Sequence, residues 1–590
     1  MTASPTPSSP STPWWKKSVV YQIYPRSFCD SNGDGIGDLP GITQRLDHLA
    51  ELGVDVVWLS PIYKSPQDDN GYDISDYRDI APEFGTLADF DALLAAMHAR
   101  GIRLVMDLVV NHSSDEHAWF QSARTRRDSP YHDYYIWAEP APGGGPPTNW
   151  EAAFNGSVWE WNEPTGEYYL HMFSKKQPDL NWENPALRQE VYALMRFWLD
   201  RGVDGFRMDV INMISKPWRA DGSLPDAPVV REGFLQPGFA LTCNGPRLVE
   251  FLREMREQVL DHYDTLTVGE APMATIEQGI ALTHPENGAL NMLFQFEHMD
   301  LDSQPGHSNG KWALKPLDLR DLKTTLARWQ TALDGQGWNS LYLSNHDQPR
   351  PVSRFGDDRR YPVESAKMLA TWLHGHQGTP YVYQGEELGM DNVAFDDIAD
   401  YRDIETLNIY RVATQERGVA PRDILRSIHA KGRDNARTPM PWTGEAPGAG
   451  FTTGTPWIRL NPGFVRSNAQ ALRADPQSVF HYYRELIALR KSQPILTDGR
   501  FELLLAQDRH VYAYTRTLGD ETWLVLCHFG GGEPEGTPRA IDGADDPTWS
   551  RWLAQGVQGT RVIGNWPGPE RVALAGLTLR PWEALILALD

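Results

Sequence analysis

Short apolar runs rich in β-branched and aromatic residues alternate with amphipathic stretches along most of the chain. The runs fall at 18–28, 54–62, 102–112, 205–210, 265–270, 290–297, 340–347 and 379–387. Between them lie helical patterns such as 184–202, where Leu187, Val191, Leu194 and Trp198 recur on one face. Strands that alternate with helices are parallel, because each crossover returns the chain to the same end of the sheet. Eight such units predict an α/β fold in which the sheet closes into a (β/α)8 TIM barrel.

Two stretches break the alternation. Residues 113–181, rich in Trp, Tyr, Pro and Gly, are too long for a βα connection and predict a subdomain inserted after the third strand. A second insertion, roughly 389–442, follows the eighth strand. Beyond the helical pattern at 478–493 the chain turns to short alternating strands, which predict a C-terminal antiparallel β domain over 494–590. The barrel is then assembled from 14–112 and 182–493. Residues 1–13, Ser, Thr and Pro without an apolar core, read as a disordered tail rather than a signal peptide.

Composition narrows the function classes. The 590 residues are 41% hydrophobic and 23% charged, with 55 basic against 78 acidic side chains and a formal net charge of −23. Such an excess of carboxylates repels phosphate backbones and anionic lipid, so no nucleic-acid or membrane partner is expected. Cys29, Cys243 and Cys527 have no metal-ligand spacing, and their small odd number fits a reducing, cytoplasmic setting.

Residues 27–42, SFCDSNGDGIGDLPGI, place Asp30, Asn32, Asp34 and Asp38 on a glycine-rich turn after the first strand. Alternating oxygen donors on such a turn suit a hard cation. The start matches the calcium loop D-x-N-x-D-G, but Gly41 stands where that loop needs a bidentate glutamate.

In a TIM barrel the chemistry sits at the C-terminal ends of the strands. Those ends carry Asp107, Asn111 and His112 on strand three, Arg207 and Asp209 on strand four, Glu270 on strand five, and His346 and Asp347 on strand seven. Like charges forced together split their pKa values, which keeps one carboxyl protonated as an acid. Two carboxyls with divided roles are the machinery of glycoside cleavage.

DLVVNH (107–112), GFRMDVIN (205–212), VGEAP (268–272) and SNHDQPR (344–350) resemble the four signature regions of the α-amylase superfamily, glycoside hydrolase family 13. QPDLNW (177–182), FQFEHMDLD (294–302) and GRDNARTPMPW (432–442) resemble motifs of its oligo-1,6-glucosidase and α-glucosidase subgroup. The resemblance implies Asp209 as nucleophile, Glu270 as general acid/base and Asp347 as the third carboxylate, which grips the glucose hydroxyls. It implies that His112 and His346 bind the same sugar, with Tyr72 and Phe173 stacking on it. Arg207 holds Asp209 ionised, two residues back on the same strand face. Asp73 and Arg433 resemble a pair that blocks the pocket end, so that one terminal glucose is removed at a time. In the aspartate loop the resemblance implies a structural Ca2+ or Mg2+, with the Ile36 carbonyl added to the ligands and no organic cofactor.

The activity so implied is exo-acting, retaining hydrolysis of terminal α-1,6-glucosidic bonds in short oligosaccharides. The alternative is an α-glucosyltransferase or sucrose isomerase on the same scaffold. Sucrose isomerases tend to carry RLDRD where this chain has HMDLD (298–302), which favours hydrolysis. Val210, next to the nucleophile, resembles the subgroup members that prefer α-1,6 bonds. The oligomeric state, monomer or dimer, stays open.

Overall fold

The computed structural model describes residues 12–305, 310–532 and 534–590. All but the last two residues of the expected tail, 1–13, lie outside the described residues. Eight parallel strands form one sheet: β1 (Val20–Ile23), β2 (Val56–Leu59), β3 (Arg103–Leu108), β4 (Gly205–Met208), β5 (Leu266–Glu270), β6 (Met292–Phe294), β7 (Ser340–Leu341) and β8 (Thr379–Tyr383). Their order is β6-β5-β4-β3-β2-β1-β8-β7. A parallel bridge between Leu293 and Asn339 joins the two ends and closes the barrel. The strands are shorter than their apolar runs, so most candidate site residues lie just past a strand end.

Barrel strands β1, β2, β4 and β8 are buried along their whole length, as a sheet covered on one side by helices and filled on the other requires. Gly205 opens β4 with φ at 145°, and a Cβ there would stand 1.9 Å from the Leu266 carbonyl oxygen, so only glycine lets β4 lie against β5. The helix Pro185–Asp200 begins on the Asn184 side chain, which accepts from the Ala186 N–H, with proline in its first turn. Leu187, Val191, Leu194 and Trp198 are all buried on its barrel face, as their spacing predicts. Burying such side chains contributes about 1.5–3 kcal/mol each. The Trp198 indole N–H also donates to the Tyr77 carbonyl.

The excursion after β3 carries a three-stranded antiparallel sheet, Trp137–Ala138, Glu167–Leu170 and Trp159–Asn162. Its apolar cluster includes Trp150, Val158, Leu170 and Met172 and packs on Val210 and Met213 beyond β4, which sets this layer over the barrel top. The segment after β8 folds into helices Ile404–Arg411 and Pro421–Lys431 and the turn Asp434–Arg437. The last stretch forms a six-stranded antiparallel sheet that includes Val511–Leu518, Glu521–His528 and Ala584–Leu589. The Tyr514 hydroxyl and Arg516 guanidinium of this sheet donate to carbonyls at the end of helix Pro362–Gly375, fastening it to the barrel.

Candidate active site

At the C-terminal ends of the strands lies a cavity of about 430 Å³, lined by Asp209, Val210, Glu270, Asp347, His112 and Tyr72 among others. Phe154 and Phe173 reach it from the excursion after β3, and Glu405 and Arg433 from the segment after β8. Parts of the chain that lie far apart in sequence thus meet around one space.

Arg207 is the centre of the charge arrangement. It sits opposite Asp107 in the β4–β3 ladder, so the two side chains share the inner face. Its Nη1 donates to Asp107 Oδ1 at 2.7 Å and to Asp209 Oδ1 at 2.8 Å, while Nη2 donates to Glu270 Oε2. All four groups are buried. Three carboxyls around one guanidinium cannot all be ionised at ordinary cost. Burial pushes Asp209 well above the usual carboxylate range, and Glu270 and Asp107 add to it against Arg207. Burial also raises Asp107 to about 6, with Arg207 opposing. Asp209 and Asp107 are thus both biased toward holding a proton. Asp107 Oδ2 already accepts from the Trp58 indole at 3.1 Å and the Tyr72 hydroxyl at 2.9 Å, so a proton has little room on Asp107.

Asp347 is the opposite case. Burial acts to raise it, but His346, Arg433 and Arg437 together hold it far below the ordinary carboxylate value. Arg437 Nη2 lies 2.7 Å and Arg433 Nη1 3.3 Å from its Oδ1. His346 stacks on Tyr72 with centroids 5.0 Å apart, and its Nδ1 faces the Gln22 amide nitrogen at 2.8 Å. That amide donates to Nδ1, so the ring proton sits on Nε2, 3.2 Å from Asp347 Oδ2. Desolvation lowers His346 to about 3 and His112 to about 4, so both rings are neutral hydrogen-bonding groups. His112 Nε2 donates to the Tyr72 carbonyl at 3.0 Å, and Phe173 packs on its ring with centroids 5.2 Å apart.

One expected pairing is corrected. Arg433 does not pair with Asp73; its Nη2 lies 3.0 Å from Asp69 Oδ1 and 2.6 Å from Asp403 Oδ1. The Asp73 carboxyl is turned back on its own loop, accepting from the N–H groups of Asp68 and Asp69, and so shapes the turn that presents Asp69. Asp69, Asp107, Asp403 and Arg437 are among the polar members of the site that the motifs did not deliver as binding residues. For Asp69 the adjacent pair Asp68–Asp69, just ahead of Asp73, was the available signal. Asp403 and Arg437 become visible only once the segment after β8 is folded over the cavity.

None of the aspartate-loop residues lines this cavity. Asp30 Oδ1 accepts from the N–H groups of Asn32 and Gly33, and its Oδ2 from Gly35 and the Thr452 hydroxyl. Asn32 and Asp34 each accept from the N–H two residues on, forming successive Asx turns. Asp38 caps helix Leu39–Gln44 through Gly41 and also holds Ser31. The donor set is all oxygen, as a hard cation requires, but internal hydrogen bonds already engage both oxygens of Asp30 and Asp38. Among the described residues, no three Asp, Glu, His or Cys side chains are gathered closely enough to hold a metal ion.

The arrangement recurs in known proteins. The α-amylase catalytic-domain family matches residues 22–499. An oligo-1,6-glucosidase of Parageobacillus thermoglucosidasius is 58% identical over 575 residues, 97% of this chain and 98% of that protein. A solved trehalose-6-phosphate hydrolase of Bacillus licheniformis, a mutant in complex, superposes with a TM-score of 0.89 at 47% identity, over 98% of this chain and 100% of that one. An isomaltulose synthase of a Klebsiella species gives 0.90 at 38% identity, with the same coverage. With the barrel, the signature regions and the carboxyl set in place, the chain belongs to the α-amylase superfamily, glycoside hydrolase family 13, and is a glycoside hydrolase of its oligo-1,6-glucosidase and α-glucosidase subgroup.

Proposed function

We propose that the protein is an exo-acting, retaining α-glucosidase that removes terminal α-1,6-linked glucose from short oligosaccharides by double displacement. The observation that carries the mechanism is the single guanidinium shared by Asp209 and Glu270. Two carboxyls bridged by one guanidinium are expected at the close spacing, about 5–5.5 Å, of enzymes that form a covalent intermediate. Asp209 is the nucleophile and Glu270 the acid/base. Asp347, held ionised by Arg433 and Arg437, accepts hydrogen bonds from the sugar hydroxyls, and neutral His112 and His346 complete the ring around them. Arg433, fixed by Asp69 and Asp403, closes the far end of the cavity, which limits it to one terminal glucose.

Two observations separate this reading from those suggested by the similar structures. Among the described residues the cavity is lined by Asp69, Asp209, Glu270, Asp300, Asp347 and Glu405 against only Lys311 and Arg433. Lys311 is tied to Glu405 at 2.6 Å and Arg433 to Asp69 and Asp403, so among the described residues no unpaired cation there awaits a phosphate dianion. A phosphorylated disaccharide is therefore disfavoured. In 298–302 the His298 ring is buried against the Tyr342 carbonyl, and Asp302 is bound by Arg354 and Lys431, so that segment presents no cation to steer a rearranging acceptor sugar.

The linkage preference rests on Val210, which is buried in the cavity wall beside Asp209. Its branched apolar side chain crowds an α-1,4-linked acceptor and offers it no hydrogen bond, whereas the extra rotatable carbon of an α-1,6 linkage swings past. One such contact is worth about 1–3 kcal/mol, or roughly 10–200-fold. Wild type is expected to prefer isomaltose over maltose, sucrose and trehalose 6-phosphate in kcat/KM. Val210→Thr should raise the maltose-to-isomaltose ratio within that range and leave an aryl glucoside unaffected. A wild type that prefers maltose, or a ratio that stays fixed, contradicts the linkage assignment.

The aspartate loop is proposed to hold Ca2+ or Mg2+ through Asp30, Asn32, Asp34, Asp38 and the Ile36 carbonyl, exchanging internal hydrogen bonds for metal bonds. The ion would be structural. An ion bound only by the folded chain adds about 2.7 kcal/mol at 100 times its Kd. Chelator is then expected to lower Tm, and either ion to restore it. Identical melting of metal-free protein with and without the ion means that the hydrogen bonds alone hold the turn. Among the described residues no helix is long and apolar enough to cross a membrane, and Cys29, Cys243 and Cys527 are free and buried. These features support a cytoplasmic location.

A further inference from the structure

Val210 has an unusual backbone. Its φ and ψ are 33° and 40°, in the left-handed region, where a β-branched residue is a steric outlier. Such a conformation persists only where the surroundings impose it. Three contacts impose it here. The Asp209 N–H above it still donates to the Leu108 carbonyl as the continuation of β4. The Val210 carbonyl already accepts from the Met213 N–H and starts the 3-10 turn Ile211–Met213. Between them the Val210 N–H points to Glu270 Oε2, at 3.2 Å. The left-handed value reconciles these demands: the chain leaves a strand, gives its N–H to Glu270 and turns at once, with the side chain in the cavity wall.

Glu270 Oε2 thus receives two donors, the Val210 N–H and Arg207 Nη2. An oxygen so engaged is a poor place for a proton. Arg207 Nη1 likewise engages Oδ1 of Asp209.

We propose that the Val210 peptide N–H is a positioning element for the acid/base. With Arg207 it reserves Oε2 of Glu270, so that Oε1 carries the catalytic proton and Oδ2 of Asp209 makes the attack. The proposal rests on the roles given above to Asp209 and Glu270. In the first step the Oε1–H bond breaks as the proton passes to the glycosidic oxygen. The bond from that oxygen to the anomeric carbon breaks while Asp209 Oδ2 bonds to the carbon, and the leaving sugar departs with the proton as its hydroxyl. In the second step a water gives a proton back to Oε1 and its oxygen to the anomeric carbon, and the Asp209 ester bond breaks.

The test is the amide resonance of Val210 in full-length enzyme labelled with 15N-valine. It is assigned by its loss in Val210→Ile, or in Val210→Asn if isoleucine disturbs the fold. The groups facing Glu270 are Arg207, Asp209 and Tyr342, with Asp107 behind Arg207. Because Asp209 could also move the resonance, the titration is repeated in Glu270→Gln. The expected result is a shift of the Val210 amide with the midpoint of the alkaline limb of kcat/KM, abolished in Glu270→Gln. A resonance that stays still across that limb in wild type, or that still moves in Glu270→Gln, overturns the clamp. Failure of the roles themselves would appear separately, as isomaltose activity persisting in Glu270→Gln.

Discussion

Asp209→Asn is expected to lower kcat/KM for isomaltose by about 10⁴–10⁶-fold, the scale seen when a nucleophile is removed from a working set. The amide matches the carboxylate in shape and can still face Arg207, but it cannot form the bond to the anomeric carbon. The fold should not suffer. Asp209 has its pKa raised in the folded state, mainly by burial, then by Glu270 and Asp107. A carboxyl raised in this way favours folding most at pH below its unfolded value, and that contribution is lost as pH rises through the folded value. Where ionised, the side chain is therefore a net cost to stability, and the asparagine variant should melt no lower than wild type. Circular dichroism melts alongside the kinetics check this. A variant that is both folded and active on isomaltose contradicts the assignment.

Glu270→Gln should be less uniform in effect, and the difference is diagnostic. A general acid contributes about 10²–10⁴-fold when the leaving group must be protonated. The leaving glucose of isomaltose departs as an alkoxide unless protonated, so kcat/KM for isomaltose should fall by that amount. An aryl glucoside with an activated phenol needs no proton. Its first step should run near the wild-type rate, while the second step, which needs Glu270 as base, slows. Stopped-flow release of the phenol is then expected to give a burst of about one equivalent followed by a slow phase. A loss of equal size on both substrates, with no burst, would place Glu270 outside the proton transfer.

Much of this was legible in the chain itself. The eight apolar runs marked the strands, and their ends carried Arg207, Asp209, Glu270, His346 and Asp347 toward one cavity, because the barrel geometry allows few other placements. The helix 184–202 was readable from its apolar face. What could not be read was which of several neighbouring carboxyls faces inward. Asp69 and Asp73 are four residues apart, and only the folded loop shows that Asp73 spends its oxygens on backbone N–H groups while Asp69 meets Arg433. Asp403 is similar: it caps helix Ile404–Arg411 and binds Arg433 at the same time, a double use that local sequence does not announce. The left-handed backbone of Val210 was hidden for another reason. Valine is a strand former, and nothing in its identity foretells a conformation that the contacts around it impose.

The central claim is retention of configuration by removal of a terminal glucose through Asp209 and Glu270. Proton NMR of the first glucose released from isomaltotriose, recorded before mutarotation, tests it most directly. With exo-action the early glucose derives only from the non-reducing end, and the account requires it to appear as the α-anomer, relaxing afterwards toward equilibrium. An initial excess of β-glucose would mean direct attack by water and would contradict the covalent role of Asp209.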